Sequence, residues 1–203
     1  VVSQGFDHYQ LTVNTTTTAM AAYSSSSYGG GLRFGFPIGE KESVGLGLGV
    51  DSTTITTYTN SPQYYVDYVK NFGATNLSIP LTLSWASDGK DSYFFPTKGT
   101  FQKASLEVAL PGGDLTYYRA SYQLQHFVPL TSRFTLMLNG EVGYAEGYGD
   151  SGLPFFKNFY AGGIGSVRGY KASSLGPLSI DTSTGTIYRL GGNSRVIGNA
   201  ELL

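Results

Sequence analysis

Residues 155–177 read FFKNFYAGGIGSVRGYKASSLGP. Five glycines (Gly162, Gly163, Gly165, Gly169 and Gly176) and the closing Pro177 rule out a regular helix or strand here. A run so rich in glycine is ordinarily mobile, because ordering it costs much backbone entropy. Yet Phe155, Phe156, Phe159, Tyr160, Ile164, Val167 and Tyr170 are interleaved with the glycines, and such side chains gain by leaving water. The expectation is a loop that folds back onto a larger surface and is buried there. Arg168, between Val167 and Gly169, then needs an acidic partner, since an unpaired buried charge is costly. The plain alternative is a long surface loop whose arginine meets water.

Outward from this stretch, the dominant signal is alternation of apolar and polar residues, the mark of strands with one apolar face. Eight runs show it. They are Tyr9–Val13, Leu32–Ile38, Val44–Val50, Leu77–Trp85, Ala104–Leu110, Tyr118–Val128, Phe134–Tyr144 and a last run starting near Arg195. Their lengths approach the roughly 9–11 residues that a tilted membrane-spanning strand needs. Arg33, Glu107, Arg119 and Glu141 all fall on the polar side, as they must if the other side meets lipid. In the third run Gly45, Gly47 and Gly49 occupy every polar-side position, which weakens a strand and leaves a bare face. The expectation is that this bare face clears room for the folded-in loop.

Between the runs, short connections (39–42, 88–99, 129–132) alternate with long ones (15–30, 51–76, 145–194), and Pro111–Asp114 is one short exception. Short turns at one end and long loops at the other is the pattern of outer-membrane barrels. Asn14–Ser27, rich in Thr and Ser, reads as loop, as does the Ser/Thr/Gly-rich stretch Ser179–Asn193. Within 51–76, Ser61 is expected as N-cap and Pro62 as first helical residue, with Gly73 ending the helix. Tyr64, Tyr65, Tyr68, Val69 and Phe72 share its apolar face, expected either on a core or, with its tyrosines, at a membrane interface.

Composition narrows the class. Only 13% of the 203 residues are charged, below the roughly 25% usual in soluble domains. Glycines number 28 and Tyr with Phe also 28, with no apolar run near the roughly 18 residues of a spanning helix. Transmembrane β-barrels and secreted β-sandwiches both fit. The net charge of −1 offers nothing to nucleic acid. Without cysteine there is no thiol catalysis, disulfide or thiolate metal site. His8 and His126 lack metal-ligand spacing, and the Gly-x-Gly patterns at 45–49 and 163–165 lack a nucleotide-binding context. Glu107 and Glu141 could be drawn as a hydrolytic carboxylate pair, but lumen charges are common in barrels and account for them far better. No catalytic residue, cofactor or metal is expected.

The stretch FYAGG…SVRGY…LGP resembles the signature of the BamA-type family of β-barrel assembly factors, in the loop that tucks into the barrel lumen. Its specific core is Val167, Arg168, Gly169 and Tyr170, and Phe-Pro-Thr-x-Gly within 88–99 is also similar to the family. The resemblance implies an all-β, transmembrane antiparallel barrel of sixteen strands. Residues 1–203 would form an internal part of that single domain, from the fifth strand into the twelfth. Periplasmic repeats would precede it, and the first and last strands, between which the lateral seam opens, would lie outside it. The loop of residues 155–177 would be supported by Phe159, Tyr160, Gly162, Gly163, Gly176 and Pro177. The helix bearing Tyr64, Tyr65, Tyr68 and Phe72 would be an interface helix, which the family has in this loop. The motif arginine would be a structural clamp held by an inward glutamate on the next strand, here Glu201. On the residues alone, Glu141 or an acid elsewhere in the protein remains open as its partner. The implied function is folding and inserting outer-membrane proteins, with outer-membrane lipids, unfolded β-barrel clients and accessory lipoproteins as partners. A two-partner secretion pore or autotransporter-assembly paralogue is the nearest alternative. A passive porin and a soluble adhesin-like domain are further ones.

Overall fold

The computed structural model describes residues 8–19, 23–149, 152–180 and 185–203. The chain forms one long antiparallel sheet. Its strands are β1 (His8–Ala19), β2 (Tyr23–Pro37), β3 (Glu42–Thr57), β5 (Pro80–Asp88), β6 (Gly99–Ala109), β7 (Tyr117–Pro129), β8 (Thr135–Gly147) and β11 (Ser194–Leu202). They pair in that order, with β1 and β11 at the edges. The short β4 (Thr75–Ser78) also pairs with β3, in the register that β5 continues. The two are one strand interrupted at Ile79, next to Pro80, which has no amide to give the ladder.

Register converts the alternation into two faces. On the outer face, Leu11, Leu32, Leu48, Leu81 and Val108 lie in one row across five strands. Phe34, Leu46, Leu83, Leu106, Ala120 and Tyr144 make the next. These side chains are substantially exposed, with Leu11 at 71% and Leu48 at 50%, so the sheet presents an unbroken apolar surface. On the inner face, Arg33, Gly47, Thr82, Glu107 and Arg119 form one row, and Ser84, Ser105, Ser121, Gly143 and Arg195 another.

Three loop expectations are corrected. Asn14–Ser27 is strand over its described part: Thr15–Ala19 pair with Ser24–Tyr28, and β2 with β3 up to Thr57. β-branched threonines favour extended backbone, and hydroxyl pairs such as Ser27 Oγ to Thr53 Oγ1 (3.0 Å) knit the strands. With both faces polar, no alternation marks the strand although its ladder continues. For the same reason the connection expected from Asp51 begins only after Thr57. In the Ser179–Asn193 segment, β9 (Leu178–Ile180) pairs with β10 (Ile187–Arg189), which carries the buried Tyr188.

The helix α1 spans Gln63–Phe72 and ends at Gly73, whose φ of +85° suits a residue without Cβ. Ser61 is not its cap. Pro62 precedes the helix without a side-chain cap, and Ser61 Oγ instead accepts from Tyr58 N at 2.7 Å.

Candidate functional site

Residues 155–177 lie against the inner face, and their root and their tip are held differently. The root opens with a 3₁₀ turn at Phe155–Lys157. Phe155 is fully buried, its ring centroid 4.9 Å from Tyr23, 4.3 Å from Tyr65 and 5.2 Å from Tyr68. Tyr188 and Ile55 complete this nest, so β2, β3, α1, β10 and the loop share one apolar cluster. Tyr65 also donates to Arg189 O at 3.3 Å. Burial pushes the phenols of Tyr65 and Tyr68 well above their ordinary value and keeps them neutral.

This corrects the interface-helix expectation. Tyr65 and Tyr68 point into the nest, not toward lipid, while Tyr64 and Phe72 remain partly exposed. Five aromatic rings, those of Tyr23, Tyr64, Tyr65, Tyr68 and Phe156, surround Phe155, so this face of the helix gains by packing on a core.

Beyond Phe155 the root turns ionic. Lys157 Nζ lies 2.8 Å from Glu107 Oε1, each side chain about a quarter exposed at 27% and 25%. Tyr117 donates its hydroxyl to the same carboxylate. Phe159, 3% exposed, is enclosed by cations: Arg119 Cζ is 4.2 Å and Arg195 Cζ 5.3 Å from its ring centroid. Arg195 is itself ion-paired with Glu141 and donates to Tyr160 O at 2.8 Å. Each guanidinium therefore lies over a π face, the arrangement in which cation–π attraction is felt most. The backbone closes the root, with Phe159 N to Gly192 O at 2.7 Å and the reciprocal bond at 2.9 Å. Asn158 Nδ2 and the Tyr160 hydroxyl both donate to Leu190 O, and Leu190 N donates to Pro177 O.

The glycine that admits the loop is Gly143 on β8. A Cβ there would come within 2.7 Å of the Phe159 ring. Gly45, Gly47 and Gly49, expected to clear this room, instead neighbour Ser84, Thr82 and Pro80 of β5. Gly47 and Gly49 border a cavity of about 380 Å³ with Gln10, Arg33 and Asp51.

The tip, Gly162–Leu175, is bonded mostly to itself. Gly162 N donates to Ser166 Oγ at 2.7 Å, Gly163 N to Val167 O at 3.2 Å and Leu175 N to Ala161 O at 3.0 Å. Gly162 has φ +111°, and a Cβ would meet Lys171 O at 2.4 Å, so only glycine fits. Two contacts join the tip to β11: Asn199 Nδ2 to Ser166 O at 2.8 Å, and Arg168 Nη2 to Glu201 Oε2 at 3.1 Å. Glu141, the other acid open on sequence grounds, is taken by Arg195.

Burial of the motif is corrected here. The Arg168 side chain is 66% exposed, Tyr170 56% and Ile164 87%, as the tip reaches past the nest and meets β11 through Ser166 and Arg168. Gly169 and Gly176 keep positive φ with open space around them. Sequence reasoning brought Arg168 and Glu201 together but missed Glu107, Lys157, Arg119, Glu141, Gly143 and Arg195 as the machinery of the root. One signal was available: Glu107 and Arg119 are matched in charge on neighbouring strands, and the loop begins with Lys157 between two phenylalanines.

Known proteins share this architecture. The chain is 38% identical over its full length to "Outer membrane protein assembly factor BamA" of Neisseria meningitidis, covering 27% of that relative. It is 28% identical over 89% of its length to the protein of the same name from Nitratidesulfovibrio vulgaris, covering 22% of it. A mouse protein named "Sorting and assembly machinery component 50 homolog" is 32% identical over 61% of the chain. The crystal structure of BamA from Haemophilus ducreyi lacking POTRA domains 1–3 superposes with a TM-score of 0.85 at 25% identity, over 96% of this chain and 41% of that one. The chain thus spans about a quarter of the length of the curated relatives it matches. With the Omp85 superfamily domain matched over residues 2–203, the chain belongs to the Omp85 superfamily and is part of the wall of an outer-membrane β-barrel.

Proposed function

We propose that this wall belongs to an assembly factor that folds client β-barrel proteins and inserts them into the outer membrane, and that residues 155–177 brace its lumen side. The observation that carries the bracing role is the root: Phe159 between Arg119 and Arg195, with Lys157 on Glu107, fixes the loop across the inner face. A loop so fixed occupies space that a passive pore would keep open for solute. The 38% identity over this chain, which covers about a quarter of a relative named as an assembly factor, supports the wider role.

The work proposed is mechanical. No bond is made or broken, and no cofactor is needed. An incoming strand satisfies its backbone amides and carbonyls on an exposed sheet edge elsewhere in the barrel, while this wall keeps its shape. Unfolded β-barrel chains are the substrate, outer-membrane lipids the solvent, and accessory lipoproteins the companions. In the same reading, Val167–Tyr170 and Glu201 form a light clamp that positions the tip.

The test uses the full-length protein in proteoliposomes and times the folding of a urea-denatured outer-membrane client. Folding faster than in empty liposomes, slowed by Phe159→Ala, is expected. A wild type no faster than empty liposomes overturns the assembly reading and favours a polypeptide-secretion pore.

A further inference from the structure

The outer face is not uniform. Centred on β5 to β8, and bordered by Val44 of β3 and Val196 of β11, it holds a trough of about 750 Å³, within the roughly 300–1,000 Å³ typical of ligand sites. Its floor is Ala104 and Ala120. In register, Ala104 lies between Trp85 and Tyr122, and Ala120 between Leu106 and Tyr144. Each small residue thus sits between two large ones, and the two alanines are diagonal neighbours on adjacent strands.

Tyrosine hydrogen bonds hold the trough open. Tyr122 donates to Gln102 Oε1 at 2.7 Å, which draws its ring toward the short-turn end of the sheet. Tyr144 donates to Glu146, which draws its ring toward the long-loop end. The rings lean apart, and the alanine floor stays uncovered between them. The atoms bordering the trough are almost wholly apolar, because Ser84, Ser105, Ser121, Gly143 and Arg195 beneath it turn their side chains to the inner face. A headgroup or any other polar ligand would lose its hydrogen bonds there.

We propose that this trough is a binding slot for one acyl chain of a membrane lipid. The inference rests on the outer-membrane placement of the wall. The trough is continuous with the apolar rows through Leu32, Leu48 and Leu83, so lipid already reaches its rim. The strands that make its floor, β5 to β8, are each paired on both sides, so the floor offers no free ladder to a protein strand. Tyr122, Tyr144 and Trp85 supply rigid walls, against which a chain packs with little loss of protein side-chain freedom.

Trp85 is the one tryptophan among the 203 residues and borders the slot, which makes it the reporter. The full-length protein, with tryptophans outside this segment changed to phenylalanine, is reconstituted into phosphatidylcholine vesicles carrying rising fractions of mid-chain-brominated phosphatidylcholine. A second reporter, Leu48→Trp in a Trp85→Phe background, samples ordinary lipid contact on the same face. Half-quenching of Trp85 is expected at about fivefold lower brominated fraction than for the Leu48 reporter. Ala104→Leu with Ala120→Leu should bring the two together. Arms with brominated phospholipid and with lipopolysaccharide competing for the slot separate the two sources of acyl chain.

Equal half-quenching of both reporters in otherwise unchanged protein overturns the slot and leaves the wall an ordinary lipid surface. Quenching of the Leu48 reporter without Trp85 means that a protein surface covers the trough, which overturns the acyl assignment. Quenching of neither overturns the membrane placement itself.

Discussion

Phe159 and Arg168 belong to the same loop, yet Phe159 is 3% exposed between two guanidiniums, whereas Arg168 keeps 66% of its side chain in solvent. The aromatic side chain is worth roughly 1.5–3 kcal/mol by burial alone, before its cation–π contacts. The arginine's exposed ion pair is worth about 0–1 kcal/mol once water and ionic strength screen it. The residues that give the loop its recognisable motif are therefore not those that hold it most firmly. Anchoring resides where the loop meets β6, β7, β8 and the start of β11, and the motif sits on a lever that leaves Gly162 and Gly163 and touches β11 at two further points.

That contrast can be broken by substitution, with unfolding of the full-length protein in lipid as the readout. Phe159→Ala should have the largest effect. It empties a filled site and leaves Arg119 and Arg195 without their shared ring, costing about 3–5 kcal/mol. Gly143→Ala should cost about 1–3 kcal/mol, since its Cβ would meet the Phe159 ring at 2.7 Å and force the loop outward. Combining it with Phe159→Ala should recover part of that loss, which separates overpacking from a general glycine effect. Lys157→Met keeps the stem but removes the ammonium from Glu107. Because both side chains are about a quarter exposed, the cost should be about 1–2 kcal/mol, less than for a buried pair. Arg168→Ala should be the smallest, below about 1 kcal/mol, and adding salt should shrink it further. A larger loss at Arg168 than at Phe159 would reverse the assignment of root and tip.

Much of the fold was legible because the outer face obeys a strict two-residue period. Leu32–Ile38 and Val44–Val50 show it without a break, and the structure pairs them in register. The period fails where both faces are wet, which is why Thr15–Ala19 and Ser24–Tyr28 read as loop. Parity placed Glu201 on the inner face, but its pairing with Arg168 came only from the family resemblance, because parity sets a face and not a partner. Packing between distant elements carries no such parity. Tyr23, Tyr65, Tyr68 and Tyr188 converge on Phe155 from separate parts of the chain, and nothing in their local patterns announces it. Gly143 is one of 28 glycines, distinguished only by the ring that covers it, whereas the conspicuous Gly45–Gly49 repeat faces neighbouring strand side chains. The helix α1 was legible as a helix, but whether its tyrosines met lipid or a core depended on the loop packed against it.

The central claim, that the root holds and the tip is light, is tested most directly by hydrogen exchange of the full-length protein in lipid nanodiscs. The comparison is between peptides covering 155–161 and 162–172. Phe159 N is bonded to Gly192 O within the anchored root, whereas Gly163 N is bonded to Val167 O within the tip itself. The account predicts root amides exchanging at least about tenfold more slowly than tip amides, a difference of ~1.4 kcal/mol in opening free energy. Equal protection of the two, or a better protected tip, would contradict it and return the anchoring role to Arg168 and Glu201.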